Sequence, residues 1–508
     1  MPLVLLGMAL IASSRYITFI DDEARSLNAA AQSAQTLMAS LLAGFGHQNV
    51  PPLYGIVLHY WLHSTDWNFE YLRIPSTALF IAGLFFVARA AFRFSGKAAA
   101  SAALWAGILW PFGFHYGRLA APYAFEFFLV AGLTFSYLRF LEEDDTARWA
   151  TLFMFGVALL WTTPYGWAML ACLAIDQALR RRAGERSASN SVLARTLILW
   201  LAAFVPILRI SHQELRETVH KSHSASMILT RFGLHAYNLF VSESVAPWRW
   251  QLSVPAAFAV VLCLVLVFIH LSAPARRFLY YGLALMILIA ATGMPSSGSV
   301  FIAAPWVLIP VAVAIASIES QWARPAMAVA LLLIGGIGWY GIYARSYYSA
   351  PEFLEPWPQV AGDAAAKVQT GATLVSNSNA FFLYLTYALR PPTNLAAVNF
   401  AGLLPDTLHH SGVSSAEKWL SSGHTLAPTM IWIHGPGSPE SEGPMNAVAE
   451  ELDHGCGSRV SRLMARDAGV AWKQHFLPQS SVAQWLIEVR EYDCTSSNSQ
   501  EIYKLPTP

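Results

Sequence analysis

Charge is what this chain has least of. Only 12% of its 508 residues are Asp, Glu, Lys or Arg, about half the share of an ordinary soluble domain. The net charge is +1 and no basic run is interleaved with aromatics, so nothing here makes a nucleic-acid surface. Glycine-rich phosphate loops, hydrolase nucleophile motifs, internal repeats and low-complexity tracts are missing as well. Cysteine is scarce, and the four present carry no argument for a metal. Cys172 and Cys263 fall inside apolar runs and read as small packed hydrophobes. Cys456 and Cys494 lie in a polar tail, where a disulfide and two free thiols are both open.

What the chain has in abundance is apolar sequence, at 55%. A soluble core of this size cannot absorb so much, so lipid must be the second solvent. Runs of spanning length fall at about 2–20, 76–93, 98–114, 122–141, 148–163, 165–179, 193–209, 254–272, 277–293, 301–318 and 325–343. The pattern predicts a polytopic all-α membrane protein of about eleven transmembrane helices, occupying residues 1–343, with a soluble domain over 344–508. The first run lacks the basic start and small-residue cleavage site of a signal peptide and is kept as a helix.

Lys and Arg set the orientation. With the N-terminus inside, the inside loops hold Arg93 and Lys97, then Arg180, Arg181, Arg182 and Arg186, then Arg276 and Arg277, then Arg324, and all four obey the positive-inside rule. Segments 21–75, 210–253 and everything after about 344 then lie outside, in an inner or plasma membrane protein with an extracytoplasmic C-terminal domain. Within the first outer segment, 24–43 is rich in Ala, Leu, Gln and Met and reads as a helix along the interface. Segment 51–64 opens on Pro51-Pro52 and is too short to span. After Tyr343 the strands Thr373–Ser376 and Met430–Ile433 flank a helix over 379–389, which predicts a small α/β domain.

Chemistry concentrates at the outer side. Asp21-Asp22-Glu23 follows the first helix directly. As a bland feature it is a solvated helix end. As a chemical one, a carboxylate at the membrane surface can take a proton from an acceptor hydroxyl, and a second acid beside it can orient the acceptor or hold a divalent cation. His47, just before Pro51-Pro52, is placed to meet a sugar hydroxyl, while His59 and His63 share a helix face, a spacing that suits packing better than zinc.

Here the chain resembles a family. Asp22-Glu23-Ala24 after one span, Pro51-Pro52-Leu53-Tyr54, the stretch Glu70 to Ser76 and the loop Pro111 to Tyr123 are similar in order and spacing to the N-terminal part of the GT-C lipid-dependent glycosyltransferases. The protein O-mannosyltransferase and aminoarabinose transferase branch is the nearest by pattern. That resemblance covers roughly residues 1–140 by motif, and the rest by layout. It implies a many-helix fold and an active site at the outer surface. It also implies an inverting transfer from a polyprenyl-phosphate-linked sugar to a glycan, lipid or protein acceptor. Asp22 takes the general-base role, with Glu23 its neighbour and Asp21 a substitute, and the segment with Pro52 and Tyr54 borders the cavity. One departure stands out: where many relatives carry Gln-Glu-Ala-Arg-Pro-Tyr, this chain has Arg118-Leu119-Ala120-Ala121-Pro122-Tyr123, without the acid.

A phosphate leaving group needs cations aimed at its oxygens. Arg118 ranks first, inside a motif and beside a span, then Arg73, with Arg209 and Lys221 further along and Tyr123 closing the loop. For each the plain alternative is an interfacial cation reaching lipid headgroups, and for Arg73 also a salt bridge to Glu70. A transport component of an envelope-glycan system would need ionisable residues at mid-span, where few occur. A non-catalytic partner in such a system stays compatible with the altered loop.

Overall fold

A computed structural model describes residues 2–14, 19–32, 35–36, 52–142, 145–187, 189, 192, 194–205, 224–292, 297–344, 356–389, 395–401, 412–421, 427–435, 439–464 and 486–495. The chain divides into two compact units. One comprises Met1–Arg15 and Gln32–Ser349, the other Tyr16–Ala31 and Ala350–Pro508.

The first unit is helical. In chain order it contains α1 (Pro2–Ser13), then, past the other unit's α2 (Asp21–Ala31), α3 (Pro52–Ser64), α4 (Ile74–Leu109), α5 (Pro111–Tyr116), α6 (Tyr123–Glu142), α7 (Thr146–Leu160) and α8 (Gly166–Arg182). It continues with α9 (Ala194–Val205), α10 (Ala225–Val241), α11 (Trp250–His270), α12 (Ala273–Thr292), α13 (Pro305–Ser317) and α14 (Ala323–Tyr343). Each apolar run named above overlaps a helix. Among the described residues five helical stretches are long and apolar enough to cross a membrane, and α1, α7, α9 and α13 are shorter apolar helices. Run 76–93 and the part of run 98–114 up to Leu109 form the two halves of α4, bent where Ser95 and Gly96 leave helical geometry; Gly96 sits at φ +68°, a conformation that costs a residue without Cβ little. Pro111 removes a backbone donor and bars continuation, so α4 stops at Leu109 and α5 begins anew. The helix α10 was not expected in segment 210–253.

Helix α4 packs on α6 and α13, and α6 also on α7. One end of α6, α8 and α12 is fastened by a buried ionic knot. Asp176, fully buried, accepts from Tyr137 Oη at 2.6 Å and from Arg180 Nε at 2.5 Å. Gln177 in turn donates to Tyr137. Arg277 lies 3.6 Å from the Asp176 carboxylate and 2.6 Å from Glu185, which Arg180 also meets at 3.2 Å. Charges removed from water are tolerated only when paired and hydrogen-bonded in this manner.

The second unit is an α/β domain with the helix α2 joined to it. A six-stranded sheet runs β3 (Val413–Ser415), β2 (Ala397–Asn399), β1 (Thr373–Ser376), β4 (Thr429–His434), β6 (Leu486–Asp493), β5 (Gly457–Met464). The first four strands are parallel and the last two antiparallel. Helices α15 (Trp357–Val368), α16 (Asn379–Ala388), α17 (Ala416–Ser421) and α18 (Pro439–Gly455) complete it. Strand residues such as Leu374, Val375, Ile431 and Ile433 are buried, as near-continuous apolar runs in a parallel sheet require. Cys456 and Cys494 form a disulfide at the β5–β6 edge, which resolves the alternative left open by the sequence.

Candidate functional site

In the first unit, the segment joining α4 to α6 is buried from Trp110 to Ala121. Connections normally run over the surface, because buried backbone and charge must find partners. This one carries His115 at 1% and Arg118 at 3% exposure, with Arg73, at the start of α4, at 6%. The Arg118 guanidinium lies 4.8 Å from the centre of the Phe114 ring, and Phe114 packs on Trp339 of α14. Arg73 donates to the Ser14 carbonyl at 2.5 Å, tying the start of α4 to the end of α1. Burial, followed by the charges of Arg118 and Arg73, holds His115 well below the ordinary imidazole value. Its ring is therefore neutral at pH 7, and the positive charge among these three residues rests on the two arginines.

Aromatic rings wall the same segment. Trp110 stacks on Phe301 at 5.2 Å and donates from its indole to the Leu239 carbonyl. Tyr116 meets Tyr123 edge to face at 5.3 Å. A side chain at Gly298 would come within 2.6 Å of both tyrosine rings, so glycine is needed for that approach. Tyr116 donates to Glu243 at 2.5 Å, and Glu243 is 1% exposed. It follows Ser242, whose φ of +91° and ψ of 155° belong to a region essentially reserved for glycine. On α10, Arg231 has a guanidinium nitrogen, and the buried His235 both ring nitrogens, without a hydrogen-bond partner.

Tyr54 and Pro52 belong to α3, which Pro52 opens. Tyr54 is 1% exposed and shares a 2.8 Å hydrogen bond with Ser76 of α4. Its ring lies 6.1 Å from Phe125, so it joins α3 to the neighbouring helices. His59 and His63 have ring centroids 4.4 Å apart, and His63 sits edge-on to Trp67. Among the described residues no group of three or more His, Cys, Asp and Glu is placed to hold a metal ion. His47, Arg209 and Lys221 lie outside the described residues.

The acidic triplet belongs to the second unit and forms the first turn of α2. Ile20 is the N-cap, since its carbonyl accepts from the amides of Glu23 and Ala24. Glu23, fully buried, reaches back so that its carboxylate accepts from the Ile20 amide at 3.3 Å. This is one half of a capping box, and it engages Glu23 in holding its own helix. Asp22 is half-buried, and Ser26 Oγ donates to its backbone carbonyl. Acids in a first turn also complement the positive end of the helix dipole, as Asp22 and Glu23 do here. Asp21 opens the helix.

Sequence reading singled out Asp22, Glu23, Arg73, Arg118, Tyr54 and Tyr123, and the structure brings Arg73, His115 and Arg118 together in one unit. Glu243, Tyr116 and His235 were missed. Glu243 lies 127 residues from its Tyr116 partner. A short motif cannot signal a pairing of that separation.

No protein-family model and no curated protein matches the sequence. Solved structures do. ArnT from Cupriavidus metallidurans bound to undecaprenyl phosphate superimposes with a TM-score of 0.54 at 13% identity, covering 96% of this chain and 97% of ArnT. The same protein in the apo state gives 0.50 with the same identity and coverage. The chain has the ArnT fold along nearly its whole length, a polytopic membrane fold with a small sheet domain at its C-terminal end.

Proposed function

We propose that this protein transfers a sugar from a polyprenyl-phosphate carrier to an acceptor hydroxyl at the outer face of the membrane. The observation that supports it most is a pair of buried arginines in a fold shared with a protein solved holding undecaprenyl phosphate. A phosphate suits such a pair, because Arg presents a donor fork that matches its oxygens.

Asp22 is the general base. Glu23 is turned to its own helix cap, and Asp22 takes the general-base role that the resemblance implies, removing the acceptor proton. The acceptor oxygen then attacks the anomeric carbon opposite the departing phosphate, and the bond to the carrier breaks with inversion. Arg118 and Arg73 neutralise the charge that builds on the leaving group, where fixed donors lower the barrier most. Neutral His115 donates a hydrogen bond without adding charge that would hold the product too tightly. Positive-inside loops favour the outer face for this chemistry, with the C-terminal unit on that side.

The test uses purified full-length protein, native membrane lipid extract as donor source, and undecaprenyl phosphate as binding probe. Asp22→Asn binds undecaprenyl phosphate as the wild type does and loses transfer by about a thousandfold or more, the range for removing a general base. Arg118→Met weakens that binding by about tenfold, one charge-assisted hydrogen bond's worth. Wild-type binding by Arg118→Met together with Arg73→Met overturns the phosphate assignment, and unchanged transfer by Asp22→Asn overturns the base.

A further inference from the structure

The helix with the acidic triplet does not cluster with the helices that flank it in sequence. Residues Tyr16–Ala31 form one compact unit with Ala350–Pro508. Within that unit α2 packs on α16. Its entry is tied to that helix: the Tyr384 hydroxyl, on α16, accepts from the Phe19 amide at 3.0 Å. The two rings pack with centroids 5.0 Å apart. Phe19 immediately precedes Ile20, the N-cap, and Asp22 lies two residues beyond that cap.

Helix α16 is itself firmly seated. Ser378 caps it, accepting from the Phe381 amide at 3.2 Å. Phe381, Phe382, Leu383 and Leu385 are buried beneath it. The turn before it is locked to the end of β4 by Asn377, whose side chain both donates to the Gly435 carbonyl at 3.1 Å and accepts from the Gly435 amide at 3.0 Å. Parallel strands β1 and β4 are adjacent in the sheet. A continuous series of hydrogen bonds thus runs from sheet to α16, from Tyr384 to Phe19, and through the N-cap to the first turn of α2.

We infer that the C-terminal α/β unit holds the catalytic base, and that Tyr384 is the positioning residue through which it does so. This rests on the reading of Asp22 as base. Tyr384 touches neither donor nor acceptor. It fixes where the chain enters α2, and therefore where the Asp22 carboxylate stands. Base catalysis needs heavy atoms within hydrogen-bond reach of the transferred proton, and an error of about 1 Å can cost a hundredfold in rate. The C-terminal unit thereby acts on the rate of proton removal.

The variant Tyr384→Phe keeps the ring contact with Phe19 and removes the hydroxyl that accepts from its amide. In the full-length protein it is expected to lower kcat by about ten- to a hundredfold, with the KM for the lipid donor changed less than about twofold. Because a misplaced base is still a base, the acidic limb of the kcat–pH profile persists, whereas Asp22→Asn abolishes it. Hydrogen exchange read on the same samples gives an arm independent of activity. Protection of residues 19–23 falls in Tyr384→Phe, while that of β1 and β4 is retained. Unchanged exchange over 19–23 overturns the docking of α2 through Tyr384. Lost protection with wild-type kcat overturns the positioning role. Unchanged transfer by Asp22→Asn sinks the base assignment instead and leaves the exchange arm to decide the docking.

Discussion

Replacing Asp176 by Ala removes the centre of the knot that joins α6, α8 and α12. The carboxylate is fully buried and serves Tyr137, Arg180 and Arg277, whose guanidinium-bearing side chains are only 10% and 16% exposed. Breaking a buried ion pair from one side costs about 3–5 kcal/mol, because the abandoned charge stays desolvated. Glu185 remains in contact with both arginines, so the loss belongs at the lower end, about 3 kcal/mol. Asp176→Asn keeps an acceptor for Tyr137 while losing the charge, and should cost about half as much. Equilibrium unfolding of the purified protein in mixed micelles measures both. Tyr137→Phe combined with Asp176→Asn should be less damaging than the sum of the two single changes, since they share a hydrogen bond. Transfer per folded molecule should stay at the wild-type level. A loss below about 1 kcal/mol for Asp176→Ala, the range of an exposed pair, refutes the reasoning. Lost transfer at unchanged stability would move Asp176 from scaffold to mechanism.

Two further outcomes follow from the site. Glu23→Ala should destabilise the start of α2 by about 1 kcal/mol through loss of its cap, while Glu23→Gln, still able to accept from the Ile20 amide, keeps most of both stability and transfer; equal collapse of transfer in Gln and Ala variants would instead make the Glu23 charge part of the chemistry. For His115 the native value is depressed, so the native state binds fewer protons than the unfolded chain as pH falls. Its contribution to stability is present above the unfolded value of 6.5 and is lost progressively below it. Unfolding curves between pH 7 and 5 should show a pH-dependent loss that is smaller in His115→Gln, and parallel curves would contradict the burial of a neutral ring between two arginines.

Much of this was legible in the sequence because membrane burial writes itself in composition. A span needs about twenty apolar residues whatever surrounds it, so the run at 323–343 or 250–270 declares a helix without knowledge of its neighbours. Strands Thr373–Ser376 and Met430–Ile433, the second extending over Thr429–His434 in the structure, were visible for the related reason that a central parallel strand is apolar on both faces. At Pro111 the reading missed a break: the apolar run 98–114 across it hid the stop that its missing donor imposes. Harder to see was α10 (Ala225–Val241), whose polar positions Arg231, His235 and Asn238 interrupt the apolar signal. Those residues are tolerated because tertiary packing, not lipid, surrounds that face. The membership of α2 in the C-terminal unit was invisible, since it depends on a hydrogen bond between residues 365 positions apart.

The altered loop after α4 shows where such reading must stop. On sequence it lacks the acid that many GT-C chains place beside its arginine, which suggested a loss of chemistry. Yet a carboxylate reaches this loop from elsewhere, as Glu243 accepts from Tyr116 within a segment buried from Ser242 to Ala246. The backbone there is strained: a serine at φ +91° costs about 1–3 kcal/mol relative to an ordinary conformation. Ser244 anchors the segment by donating to the Gly338 carbonyl of α14 at 3.1 Å. Strain of that size persists only where surrounding contacts over-determine it, and the contacts here converge on presenting Glu243 to the loop. The loop's charge balance is thus a property of two segments 127 residues apart, and a motif comparison confined to one of them misses the buried carboxylate that the other supplies.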